Sequence, residues 1–315
     1  MGQRLKAAVW AITARCFALN TNGTGFRTLH SFNFSDGAGP SAGLILSGNT
    51  LYGTASGGSS GNGTVFAVDT DGVGFTNLHS FTGPPFTGPP ITNSDGAFPQ
   101  AGLLLLGNVL YGTASQGGSS GSGTVFALNT NGTGFTNLHS FTAGTGSFPQ
   151  IINSDGANPK AGLLLIGSTL YGTAYDGGSS GLGTKFVVNT DGSGFTNLHT
   201  FNYSDGINPA AGLLLSGNTL YGTAYNGGGF LDGTMFSLSL GSASAPAPTL
   251  TLFRSGVNVV LTWPTNAAGF TLQSTTNLVS PAVWITNFPA PVVVNGQNVV
   301  TNPASGTKKF YRLSQ

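Results

Sequence analysis

Four histidines occupy one repeated slot: His30, His79, His139 and His199 each follow a leucine inside a Phe-x-x-Leu-His-x-Phe segment. Imidazole is a common metal ligand and proton shuttle, so four at a regular spacing invite a metal-ring reading. A second slot is acidic. Asp36, Asp95, Asp155 and Asp205 each stand in Ser-Asp-Gly. A ring of such carboxylates could hold a cation, calcium being the natural choice, or a hydroxyl-rich ligand. Asp-Gly is also turn chemistry, and an Asx-turn leading into the next strand accounts for the slot with fewer assumptions.

A third acidic stretch, Asp69-Thr70-Asp71-Gly72, has the opening of a calcium loop. It lacks the third acidic position and the distal glutamate that such a loop needs. Its equivalents read Asn20-Thr21-Asn22-Gly23 and Asn129-Thr130-Asn131-Gly132, so Asp and Asn interchange and local turn bonding fits the slot better. Calcium is the one cofactor these residues suggest.

Residues present in only one or two copies point elsewhere. One set is Tyr175-Asp176, Tyr225-Asn226, Phe230 and Asp232; a second is Phe86 and Phe148, inside two insertions. Aromatics beside Asp and Asn can stack on sugar rings and bond their hydroxyls. A loop packing on its own aromatics would look the same in sequence.

The elements that position these residues come from a tandem repeat. Leu51-Tyr52-Gly53-Thr54-Ala55 recurs at 110–114, 170–174 and 220–224. Phe75-Thr76-Asn77-Leu78-His79-Ser80-Phe81 recurs at 135–141 and, with one change, at 195–201, with a variant at 26–32. Each unit carries four strand candidates. Strand a is an apolar run such as 103–106, strand b the Leu-Tyr-Gly-Thr-Ala segment, strand c Gly-Thr-Val-Phe-Ala-Leu, and strand d the histidine segment. The unbroken apolar run of strand a predicts burial on both faces. Cys16 falls in the strand-c slot of Val65, Val125, Lys185 and Met235, so it reads as a strand residue.

The a–b and c–d joints are tight and carry Gly-Asn and Asn-Gly turn chemistry. In an up-down-up-down sheet the remaining b–c and d–a joints share the opposite face. All the length variation falls there, which marks it as the binding face. Strand d is expected outermost, which separates the four histidines and argues for a structural role, since zinc needs its ligands within about 2.1 Å of one ion.

The expected fold is all-β: a β-propeller-like repeat domain of about four four-stranded blades, followed by a small β-sandwich. The boundaries are 1–15 for a header resembling a vestigial signal, 16–240 for the repeats, 241–248 for a Pro-containing linker and 249–315 for the sandwich. Strand c occurs five times and the others four, so closure stays open. Residues 16–32 could complete the blade begun at 211–226; the array could be an open propeller; or it could be a stacked solenoid.

Composition agrees with many short strands. Glycine contributes 51 of 315 residues, and charged residues only 6%. The net charge of +1 and the lack of a basic cluster leave no surface for nucleic acid. One cysteine excludes an internal disulfide, and no stretch is long and apolar enough for a membrane helix.

The series Leu-Tyr-Gly-Thr, Gly-Gly, Gly-Thr-Val-Phe-Ala-Leu-Asn-Thr-Asn-Gly-Thr-Gly-Phe, Leu-His-Ser-Phe and Asp-Gly-Ala-x-Pro resembles the GloVer tandem repeat of bacterial secreted proteins. The last seventy residues look like an immunoglobulin- or fibronectin-III-type domain appended to such proteins. The resemblance implies a secreted or cell-surface location and no established activity. The leading expectation is a non-catalytic adhesion or binding scaffold with a glycan or surface protein as partner. The alternatives are a carbohydrate-active hydrolase or lyase, and a structural spacer. A typical glycosidase needs two carboxylates about 5–9.5 Å apart, and this chain has no glutamate to supply one.

Overall fold

The computed structural model describes residues 14–83, 91–146, 151–240, 248–265, 270–279, 282–286, 288–294, 297–304 and 308–314. The chain divides into two units, Met1–Ser239 and Leu240–Gln315. Among the described residues every regular element is a β-strand.

The first unit is a series of five antiparallel sheets, here called blades. The first holds β1 (Arg15–Ala18) and β2 (Arg27–Ser31). The second is β3 (Ile45–Ser47), β4 (Thr50–Ala55), β5 (Thr64–Asp69) and β6 (Thr76–Ser80), hydrogen-bonded in that order. The third repeats it with β7 (Leu104–Leu106), β8 (Val109–Ala114), β9 (Thr124–Asn129) and β10 (Thr136–Ser140). The fourth has β11 (Leu164–Ile166), β12 (Thr169–Ala174), β13 (Thr184–Asn189) and β14 (Thr196–Thr200). The fifth has three strands: β15 (Leu214–Ser216), β16 (Thr219–Ala224) and β17 (Thr234–Ser239). This is a β-propeller-like array of four-stranded meanders.

Residues 16–32 form a sheet of their own, and β17 fills the strand-c place beside β16. The four-bladed ring completed by 16–32 is therefore not the arrangement present. The array has incomplete first and last blades among the described residues.

Strands b and c are the buried ones: all but the first residue of β8 and all but the last of β9 are buried. Strand a is not covered on both faces. Leu46, Leu106 and Leu214 are exposed. The apolar run of strand a misleads because it lies at a sheet edge with one neighbour, whereas b and c have neighbours on both sides.

The core lies between blades. Tyr52, Val65, Ala67 and Phe81 of the second blade pack on Leu103, Leu110, Phe126 and Leu128 of the third. The next junction repeats this with Tyr111, Val125, Ala127 and Phe141 against Leu170, Phe186 and Val188. The Phe of strand c lies over the Gly of strand b in its own blade. A Cβ on Gly112 would sit 2.5 Å from the Phe126 ring, so the Tyr-Gly-Thr motif needs glycine for that close approach. Polar ties cross the same boundaries: the Thr54 hydroxyl donates to Ala101 O at 2.9 Å and Thr113 to Ala161 O at 3.1 Å.

The second unit has one sheet ordered β18 (Thr251–Ser255), β19 (Asn258–Pro264), β22 (Gln297–Pro303) and β21 (Val292–Val294), and another of β20 (Thr271–Thr275) and β23 (Phe310–Ser314). Leu261, Trp263 and Val300 of the first sheet share a core with Leu272 of the second. Trp263 is buried there; Trp284 is half-buried beneath Arg312.

Candidate functional site

The repeated histidines and aspartates meet each other. Nε2 of His79 lies 3.0 Å from Asp95 Oδ2, and His139 stands at 3.0 Å from Asp155. His30–Asp36 and His199–Asp205 give 3.1 and 2.9 Å. The carboxylate also ties down the chain that follows strand d: Asp95 accepts from the Thr82 amide at 2.9 Å and its hydroxyl at 2.6 Å. In the first three blades the imidazole face is covered by the strand-d phenylalanine of the next blade, with His79 stacked on Phe135 at 3.9 Å and His139 on Phe195 at 3.6 Å.

Burial opposes ionisation of Asp95 and Asp155, yet the hydrogen bonds from histidine and threonine outweigh it and hold both carboxyls below their ordinary range. With Nε2 engaged by a carboxylate and one face covered, the imidazole is a bracket that joins strand d, the d–a joint and the next blade. Among the described residues, no three His, Cys or Asp side chains gather as a metal ion would require. The c–d turns are closed locally: Asp71 accepts from the Val73 amide at 2.9 Å, and Asn131 from Thr133 at 3.0 Å.

The loop face is organised as the strand directions require. Each d–a joint bonds the b–c joint of its own blade, as in Ala157 N to Asp176 O at 2.8 Å and Asp176 N to Ala157 O at 2.9 Å. Between the fourth and fifth blades these joints enclose a cleft of about 430 Å³, lined in part by Tyr175, Asp176, Leu182, Tyr203, Asn208 and Asn226.

Asp176 anchors the cleft. It is only 4% exposed and accepts from Asn158 Nδ2 at 2.7 Å and Asn208 Nδ2 at 3.1 Å. Burial pushes its carboxyl above the ordinary range, although those two amides and the Lys160 charge pull the other way. Lys160 itself lies 3.4 Å from the centre of the Tyr175 ring. Both asparagines have left-handed backbones, φ 54° and 60°, a conformation Asn tolerates and here uses to aim its amide at Asp176.

Of the residues singled out in the sequence, the structure brings Tyr175, Asp176 and Asn226 to this cleft. Tyr225 is exposed beside them, and the proximity of its hydroxyl, after burial and the Asp176 charge, helps push the Tyr175 phenol up. Phe230 projects almost fully into solvent, and Asp232 is exposed on the same b–c joint. Asp36, Asp95, Asp155 and Asp205 lie in their separate brackets. Phe86 and Phe148 fall outside the described residues.

Asn158 and Asn208 were missed. They occupy the variable position of Asp-Gly-x-x-Pro, where the other copies have Gly39 and Phe98. That difference was the available signal, the same one that marked Tyr175 and Asp176. Lys185 was noticed only as a slot-mate of valines. It is buried between the fourth and fifth blades, 4.4 Å from the Phe236 ring centre, and burial lowers its amine to about 8 against the pull of Asp205.

The Gloeobacter/Verrucomicrobia repeat matches residues 13–152 and 93–257. The chain belongs to that repeat family. A search of curated proteins finds no match. Among solved structures, the chain is 16% identical to one in a nidogen/laminin complex, covering 79% of this chain and 80% of that one at a TM-score of 0.44. A TolB candidate from Agrobacterium tumefaciens is 11% identical over 93% of this chain and 86% of its own, at a TM-score of 0.36. At these scores the architecture rests on the sheet topology described above. In the repeat family member, no helix is long and apolar enough to cross a membrane among the described residues. A repeat scaffold of this kind suits a binding or scaffolding role.

Proposed function

We propose that this repeat protein is a non-catalytic binding scaffold whose loop-face cleft takes a hydroxyl-rich ligand, a glycan chain on a bacterial or host surface. The observation that carries the reading is the cleft between the fourth and fifth blades. It combines tyrosine faces, from Tyr175 and Tyr203, with a buried Asp176 framed by two asparagine amides. Aromatic faces take up the apolar face of a sugar, and carboxylate–amide clusters bond its hydroxyls. The same residues are those that distinguish these blades from the second and third.

Among the described residues Asp176 is the one carboxylate lining the cleft. Two-carboxylate hydrolysis needs a partner for it, so the hydrolase alternative gains no support at this site. The second unit, read as a small immunoglobulin- or fibronectin-like sandwich, would act as an appended module of the displayed protein. Its support is the core shared by its two antiparallel sheets.

The test is a screen of the purified full chain against immobilised polysaccharides and surface polymers, alongside Tyr175→Ala and Tyr225→Ala. Binding that the tyrosine substitutions abolish supports the reading. Binding indifferent to every loop-face substitution contradicts it, and no binding to any polymer favours the spacer alternative.

A further inference from the structure

The two ends of the blade array are complementary. At the junctions between the second, third and fourth blades, the earlier blade presents a forward face, built from the strand-b tyrosine and the second residue of strand c. Between the third and fourth blades these are Tyr111 and Val125. The next blade presents a backward face, built from two strand-c residues and the first phenylalanine of strand d, such as Phe186, Val188 and Phe195.

The forward face of the fifth blade is exposed. Met235, in the slot of the fully buried Val65 and Val125, is 81% exposed, and Tyr221 is exposed where Tyr52 and Tyr111 are buried. The first blade has a backward face equally open. Phe17, Leu19 and Phe26 stand in the slots of Phe66, Val68 and Phe75, and Phe26 is 63% exposed. Phe17 and Phe26 nevertheless keep the ring pairing of that face: their centroids are 5.4 Å apart, against 5.7 Å for Phe66 and Phe75. The backward face is therefore already formed.

We infer that the occupant of each open face is a second copy of this chain, docked head to tail, with the Phe17–Phe26 face of one copy on the Met235–Tyr221 face of another. The contact continues the apolar blade-to-blade packing that joins the first four blades. Phe17, Phe26, Tyr221 and Met235 are all exposed in the same chain, so neither face covers the other. Large apolar side chains grouped on an open sheet face mark an interaction surface. A head-to-tail contact is heterologous, so copies can add at both ends or close into a ring.

Sedimentation of the full chain over a range of concentrations tests this. The expected result is a mass above that of one chain, with Phe26→Glu and Met235→Glu each returning it to a single chain. Mixing the two variants should restore a dimer and nothing longer, because one retains an intact fifth-blade face and the other an intact first-blade face. Cooperative melting checks that each variant is folded; Phe17→Lys and Tyr221→Lys replace either one that is not. A single-chain mass at every concentration overturns the inference, including the case in which the chain closes on itself. So does association that survives substitution of both faces.

Discussion

Asn208 reaches across a blade boundary to donate its Nδ2 to Asp176 Oδ1, 3.1 Å away, and to Tyr175 O at 3.0 Å. One side chain from the joint entering the fifth blade thus fixes both members of the Tyr175–Asp176 pair in the fourth. Asn208→Ala should remove a donor from a buried carboxylate, at a cost of about 1–3 kcal/mol. The Asp176 carboxyl should titrate higher still in this variant, as followed by carbon-detected NMR. Unchanged titration would show that Asn208 does not frame the cleft.

The His–Asp brackets predict acid sensitivity. Asp95 and Asp155 have carboxyls depressed below their unfolded values, so the stability they contribute is fully present above about pH 4 and is lost as pH falls through the folded values. Chemical denaturation from pH 7 to pH 2 should show a decline below about pH 4. In a double Asp95→Asn, Asp155→Asn variant that decline should be shallower, from a lower starting stability.

Lys185 predicts a second rise of stability with pH, at alkaline values. Its amine is depressed to about 8 in the folded chain, so the unfolded chain binds more protons between that value and its ordinary one. Stability from this group should rise as pH is raised through that window. Lys185→Met should abolish the rise and stabilise the protein at pH 7 by on the order of 2 kcal/mol, since an apolar chain replaces a buried amine.

Gly112→Ala should cost about 1–3 kcal/mol, because the new methyl would overlap the Phe126 ring. Gly107→Ala, at an a–b turn with open space around it but a φ of 58°, should act through backbone strain instead. Thermal melting of both, with Phe126→Leu added to each, separates the two causes. Only the Gly112 variant should recover part of its loss.

The strands were legible because each repeat carries its own turn chemistry and four copies could be compared. The shared loop face followed from strand direction alone. The His–Asp bracket was not legible. Asp follows His by six residues in the first and fourth blades and by sixteen in the second and third. Insertions in the d–a joint change the spacing while the carboxylate returns to the same place. The two slots therefore read as separate features until the joint is seen to fold back. Strand a misled for a related reason: hydropathy reports apolar residues, not how many neighbours a strand has. In the cleft, Tyr175 and Asp176 stood out by differing between copies, whereas Asn158 and Asn208 hid at a variable position inside an otherwise constant turn.

The most direct measurement is polysaccharide binding by the full chain and by Asp176→Ala, Tyr175→Ala and Phe230→Ala on one polymer array. The account predicts that the full chain binds at least one hydroxyl-rich polymer. Asp176→Ala and Tyr175→Ala should each weaken that binding at least tenfold, a difference of about 1.4 kcal/mol, while remaining folded. A polymer bound equally well by the full chain and by both cleft variants would contradict it.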